Sequence, residues 1–102
     1  MYRHIFWGTL KAGVTEAQKA EMLTLWRAMA DEIPAISALA VGFSTGWTGI
    51  PDQLVMTVDF DSPEAFEAYR HHPYHLEVID RSAQEMLREE TFVAQQFCFH
   101  PV

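Results

Sequence analysis

The run DSPEAFEAYRHHPYHLEV, residues 61–78, decides how this chain folds. It opens with a helix start: Ser62 as a cap, Pro63 at the first helical position and Glu64 in the first turn. That helix is predicted to run to Tyr69 or Arg70. A proline disfavours helical geometry in the residue before it, so Pro73 breaks the chain at His72. Pro73 then opens a further helix, predicted to reach about Leu87. Two successive helices therefore separate the first 60 residues from the C-terminal segment.

Upstream, residues 53–60 (QLVMTVDF) read as a strand. Leu54, Met56, Val58 and Phe60 lie on one side, and Val55, Thr57 and Asp59 on the other. The turn Gly49-Ile50-Pro51-Asp52 joins it to a strand predicted over residues 36–48, where Gly42 and Gly46 suggest a bulge or a close backbone approach. Residues 2–11 form a first strand, with His4, Phe6, Gly8 and Leu10 on one face and Arg3, Ile5, Trp7 and Thr9 on the other. After a turn at Gly13, Thr15-Glu16-Ala17-Gln18 matches a capping box. The apolar stripe Met22, Leu25, Trp26, Met29 and Ile33 then predicts one helix, ended by Pro34. Downstream, residues 91–99 (TFVAQQFCF) read as the last strand.

The order is β-α-β-β-α-α-β in a single domain, residues 1–102. This is the α+β, ferredoxin-like (split βαβ) pattern: an antiparallel four-stranded sheet with helices on one face. The other face carries Ile5, Trp7 and Val55, with Phe97 and Phe99. A bare apolar sheet face marks an interface, so the expected assembly is a homodimer, a dimeric α+β barrel closed by two stacked sheets.

At 102 residues the chain buries only a small core, and its 49 % hydrophobic content is rich for that size. Fourteen acidic against seven basic residues give a net charge of −7, which repels phosphate backbones and excludes nucleic acid as a partner. Cys98 is the lone cysteine and forms no internal disulfide. No apolar run approaches the about 20 residues that span a bilayer, so no membrane partner is expected. The start, MYRHIFWGTLKAG, lacks the pattern of a signal peptide, and the expected location is cytoplasmic.

Tyr69, His71, His72, Tyr74 and His75 crowd around Pro73. The His71/His75 and His72/His75 spacings would suit a metal on an unbroken helix, but Pro73 falls inside both, and no cysteine or carboxylate completes a zinc motif. No metal and no cofactor is expected. His71 and Tyr74 are expected to face solvent. Tyr69 ends one helix, His75 begins the next, and His4 lies on the apolar face of the first strand. All three can reach one cavity under the junction, a small-molecule site with acid–base side chains.

Three segments resemble the Dabb, or stress-responsive α/β-barrel, domain family. They are Arg3-His4-Ile5-Phe6 running into Leu10; Ile33-Pro34-Ala35-Ile36 followed by Gly42; and Phe60-x-Ser62-x-Glu64-Ala65 followed by Tyr69-x-x-His72-Pro73-x-His75. The resemblance covers nearly the whole chain and implies a dimeric α+β barrel. Within the family, polyketide cyclases of the olivetolic acid cyclase type carry the closest pattern. They fold a linear poly-β-keto thioester by aldol condensation. That resemblance implies catalytic roles for His75 and Tyr69 and a pocket position for His4. The rest of the pocket departs from that pattern: Phe6, Gly8, Met22, Trp26, Met56, Val78, Ile79 and Met86 are expected to line it, with Arg27 facing either solvent or a ligand carboxylate. The ligand so implied is small, apolar or keto-bearing, and the activity a cyclase or isomerase. The competing readings are a non-catalytic stress-responsive protein with structural histidines, and a cofactor-free or haem monooxygenase-like dimeric barrel.

Overall fold

Strand β1 (Tyr2–Thr9) occupies the middle of the sheet and is paired on both edges. The computed structural model describes residues 1–50 and 52–101. The sheet order is β2-β3-β1-β4, with β2 at Ala38–Phe43, β3 at Gln53–Phe60 and β4 at Val93–Cys98. Every neighbouring pair is antiparallel. The register sets His4 opposite Val58 on one side and Gln96 on the other. Burial alternates along β1: His4, Phe6 and Gly8 face the helices, while Arg3, Ile5, Trp7 and Thr9 lie half-exposed on the far face.

Helix α1 (Glu16–Arg27) begins at the capping box. Thr15 Oγ1 accepts from the Gln18 amide at 3.1 Å, and Gln18 Oε1 accepts from the Thr15 amide at 2.8 Å. The apolar stripe predicts one helix to Ile33, whereas the structure divides it at Ala28 into α1 and a single turn, α2 (Met29–Glu32). Ala28 keeps right-handed helical dihedrals, and its carbonyl accepts from both Asp31 and Glu32. The shift is therefore a local tightening that leaves Met22, Trp26, Met29 and Ile33 all buried.

The second strand is shorter than predicted and ends at Phe43. Gly46 and Gly49 take positive φ, and the Ser44 hydroxyl donates to the Ile50 carbonyl, so the chain leaves the ladder for a loop. Gly42 pairs in register with Val55, and a side chain there would meet nothing within 4 Å. It is neither a bulge nor a close approach. The turn residue Pro51 lies outside the described residues.

Helix α3 (Pro63–His71) is capped by Ser62, whose hydroxyl accepts from the Ala65 amide at 3.2 Å. His72 breaks the helix in extended geometry, φ −66° and ψ 133°. It also caps the next helix, α4 (Pro73–Glu85), where its Nδ1 accepts from the Tyr74 amide at 3.1 Å. Helix α4 ends two residues before the predicted Leu87, which instead bridges Leu10. A 3₁₀ turn at Glu89–Thr91 leads into β4. Among the described residues, no helix is long and apolar enough to cross a membrane.

The core between sheet and helices is filled by Trp26, Tyr69, Phe60, Met22, Met29 and Leu54 with their neighbours. A buried polar link crosses it. The Trp26 indole N–H donates to Ser82 Oγ at 3.0 Å, joining α1 to α4. Ser82→Ala is expected to lower stability by about 1–3 kcal/mol, because it orphans a buried donor. Chemical denaturation checks this, and an unchanged midpoint would mean the indole has another partner.

The far face of the sheet is free of helices. Ile5 and Trp7 are half-buried there, and Val55 and Phe97 are exposed. Arg3 and Asp59 form a two-point ion pair across this face at 2.6 and 2.9 Å. The Arg3 guanidinium also lies 4.5 Å above the Phe99 ring centre.

Candidate functional site

The helix break at His72 turns the chain so that the last full turn of α3 and the first turn of α4 overlook one end of β1. Tyr69 comes from α3, His75 from α4 and His4 from β1. The Tyr69 and His75 ring centres are 4.3 Å apart, and His4 and Tyr69 are 5.8 Å apart. Together they edge a cleft of about 230 Å³.

Each polar atom has a definable state. His75 Nδ1 lies 3.1 Å from the Arg70 carbonyl. A carbonyl only accepts, so the proton of neutral His75 sits on Nδ1 and the Nε2 lone pair is free. The Gln96 side-chain amide nitrogen lies 3.0 Å from His4 Nδ1. That nitrogen only donates, so His4 carries its proton on Nε2. The two imidazoles are thus set in opposite tautomers, one a base and one a donor. The Tyr69 hydroxyl is buried and, among the described residues, is the only buried side-chain polar atom without a hydrogen-bond partner.

Burial pushes His4 down to about 4, with further lowering from His75 and Arg70. His75 is also lowered, chiefly by burial. The bond to the Arg70 carbonyl opposes that shift, and the Arg70 and His72 charges add to it. Burial raises the Tyr69 hydroxyl well above its ordinary value. At neutral pH the site therefore holds two neutral imidazoles and a neutral phenol.

Of the residues expected at the site, His4, Phe6, Tyr69, His75 and Ile79 edge this cleft. Met22, Trp26, Met56, Val78 and Met86 do not. They are buried in the filled core, where their apolar faces meet other side chains and leave no open space. Gly8 is a packing position: a Cβ there would lie 2.8 Å from the Phe92 ring. Arg27 is exposed at the end of α1. Tyr74 does not face solvent as expected, since it is half-buried and its hydroxyl donates to the Leu25 carbonyl at 3.0 Å. His71 is exposed and meets Glu67 at 3.4 Å.

The sequence reading missed Phe66, Arg70, Ala94 and Gln96, which also edge the cleft. For Gln96 the signal was the β1–β4 register, which sets it opposite His4. Among the described residues, no three His, Cys, Asp or Glu side chains gather as a metal site. His72 spends Nδ1 on the helix cap. A wider hollow of about 430 Å³ lies at the β2–β3 edge, around Gly42, Val55 and Thr57. No titratable side chain lines it, so it offers no acid–base chemistry.

No curated protein matches the sequence. Among solved structures, a dimeric ferredoxin-like protein from Thermobifida fusca is 30 % identical, with TM-score 0.80, over 96 % of this chain and 90 % of that one. A protein from Arabidopsis thaliana is 18 % identical, with TM-score 0.81, over 100 % of this chain and 98 % of that one. A hydroxynitrile lyase from Passiflora edulis is 17 % identical, with TM-score 0.75, over 99 % of this chain and 94 % of that one. The family model described as Stress Responsive A/B Barrel Domain matches residues 2–96. With that match over nearly its whole length, the chain belongs to the stress responsive A/B barrel domain family.

Proposed function

We propose that the cleft binds a small apolar, keto-bearing metabolite and acts on it by acid–base chemistry, as a cyclase or isomerase of the olivetolic acid cyclase type. One observation carries the reading: the His75 ring, with Nε2 left unbonded, packs 4.3 Å centre to centre from the ring of Tyr69, whose hydroxyl has no partner. His75 removes a proton from the carbon between two carbonyls. The negative charge moves onto a carbonyl oxygen, and the Tyr69 hydroxyl donates to that oxygen. The His75 ring packs over Tyr69, and a small swing of it admits the ligand oxygen. His4 offers its Nε2–H as a second donor. Phe6, Phe66 and Ile79 supply the apolar wall.

The test is deuterium exchange at the central carbon of acetylacetone, followed by NMR near neutral pH. The protein is expected to accelerate exchange well beyond an equal concentration of free imidazole. Exchange no faster than imidazole would end the reading. The alternative, a non-catalytic protein, draws on the structural uses of the same motif: His72 as a cap and His75 Nδ1 on a carbonyl. Those uses leave His75 Nε2 unexplained.

The working unit in this proposal is a homodimer closed over the helix-free face. The Thermobifida fusca relative is described as dimeric, and Ile5, Trp7 and Val55 form an apolar patch on the helix-free face here. Trp7→Glu is expected to give monomer or aggregate, since an unpaired charge buried there costs several kcal/mol. Sedimentation at micromolar concentration checks it; a monomeric wild type would overturn the dimer.

A further inference from the structure

The charge pattern around the cleft runs against that of the whole chain. Acidic residues outnumber basic ones by 14 to 7, yet no carboxylate appears among the described residues that edge the cleft. Among the described residues, the one formal charge on its rim is Arg70, in the last turn of α3. Among the described residues its guanidinium is held only by Glu67, one turn back, at 3.1 Å. Both side chains of that pair are about half exposed, and an exposed pair of this kind contributes little. Arg70 therefore exchanges Glu67 for a better partner at small cost.

The cleft below it already tells donors from acceptors. His4 Nε2–H offers a proton, His75 Nε2 is the acceptor, and the buried Tyr69 hydroxyl joins the donors once the His75 ring swings aside. Both histidines lie within reach of the Arg70 charge, which lowers them both. A ligand that brought a second positive charge would be repelled. One that brought a negative charge would meet the only cation on the rim.

Resting on the small-molecule reading above, we propose that Arg70 selects ligands by charge: the cleft takes an apolar, keto-bearing body that carries a carboxylate, and Arg70 binds the carboxylate at the mouth. The planar guanidinium matches a carboxylate by two parallel N–H bonds, which an ammonium does not. The keto end then points inward to Tyr69 and His75, so Arg70 fixes which way round the ligand enters. Arg70 is a specificity residue in this scheme and takes no part in proton transfer.

The experiment compares para-butyrylbenzoate with its uncharged amide, para-butyrylbenzamide, by NMR titration at low salt. The wild type is expected to bind the acid about tenfold tighter than the amide. Arg70→Gln should erase that preference, and Arg70→Lys should restore part of it. Glu67→Gln, which removes the internal competitor, should tighten acid binding; a merely structural Arg70 would not respond this way. If the wild type binds acid and amide equally, the charge proposal is overturned while the cleft stands as a binding site. If neither probe shifts the resonances of the cleft residues, the small-molecule reading falls with it.

Discussion

Replacing Tyr69 by phenylalanine is expected to make the fold more stable and the protein less reactive. The two effects have one cause. The Tyr69 ring is fully buried against Phe60, Phe66, His4 and His75, with ring centres 4.3 to 6.1 Å apart. Phenylalanine keeps all of that packing. What it removes is a hydroxyl that left water on folding and found no partner. Such a group costs about 1–3 kcal/mol, so the variant should gain stability of that order in chemical denaturation. If the hydroxyl meets the oxygen that becomes negative during proton abstraction, its loss should slow deuterium exchange by about 10²–10³-fold. A gain in stability without a loss of rate would make the hydroxyl a mere defect. A loss of stability would mean that it is hydrogen-bonded after all. Only the crossed result fits a group kept for function at the expense of the fold.

The second large effect is at His75. His75→Ala should reduce exchange by about 10²–10⁴-fold, the usual contribution of a positioned general base. The pH profile gives an independent check. Burial holds His75 below the ordinary histidine value, so the free base dominates at neutral pH. The rate should stay level through neutrality and fall only as acid protonates Nε2, at a midpoint below that of a model imidazole. A midpoint above the ordinary histidine value would contradict the burial of this ring. His75→Gln serves as the structural control, because its amide can still donate to the Arg70 carbonyl. Should the glutamine variant retain the wild-type rate, His75 is not the base.

The fold was legible because its decisive signals are local. Ser62-Pro63-Glu64, the Pro73 break and the Thr15–Gln18 capping box each fix an element end through bonds within four residues. The alternation in β1 and β3 then left one sheet geometry. Open space was not legible in the same way. Periodicity says that Met22, Trp26, Met56, Val78 and Met86 point inward. It does not say whether the volume they enter is filled, and here it is. Likewise nothing in the periodicity of α4 reveals that Tyr74 bonds the Leu25 carbonyl, a partner 49 residues away. Arg70 reads as an ordinary exposed residue until α4 folds back beside it. The division at Ala28 moved no buried side chain out of its stripe, and so left no mark on the pattern.

Strand β1 has a consequence for how this protein tolerates change. Its odd and even positions serve two clients: His4 and Phe6 edge the cleft, and Ile5 and Trp7 paper the open sheet face. Inserting or deleting a single residue between Arg3 and Trp7 would turn downstream side chains over. Buried phenylalanine would then trade places with half-exposed tryptophan, so the proposed ligand binding and the proposed pairing would fail together. Outside the sheet, a change of length within 45–49 would leave every strand's facing pattern intact, though it would disturb the positive-φ turn at Gly46 and Gly49. In β1, length itself is under constraint, separately from the identity of any residue in it.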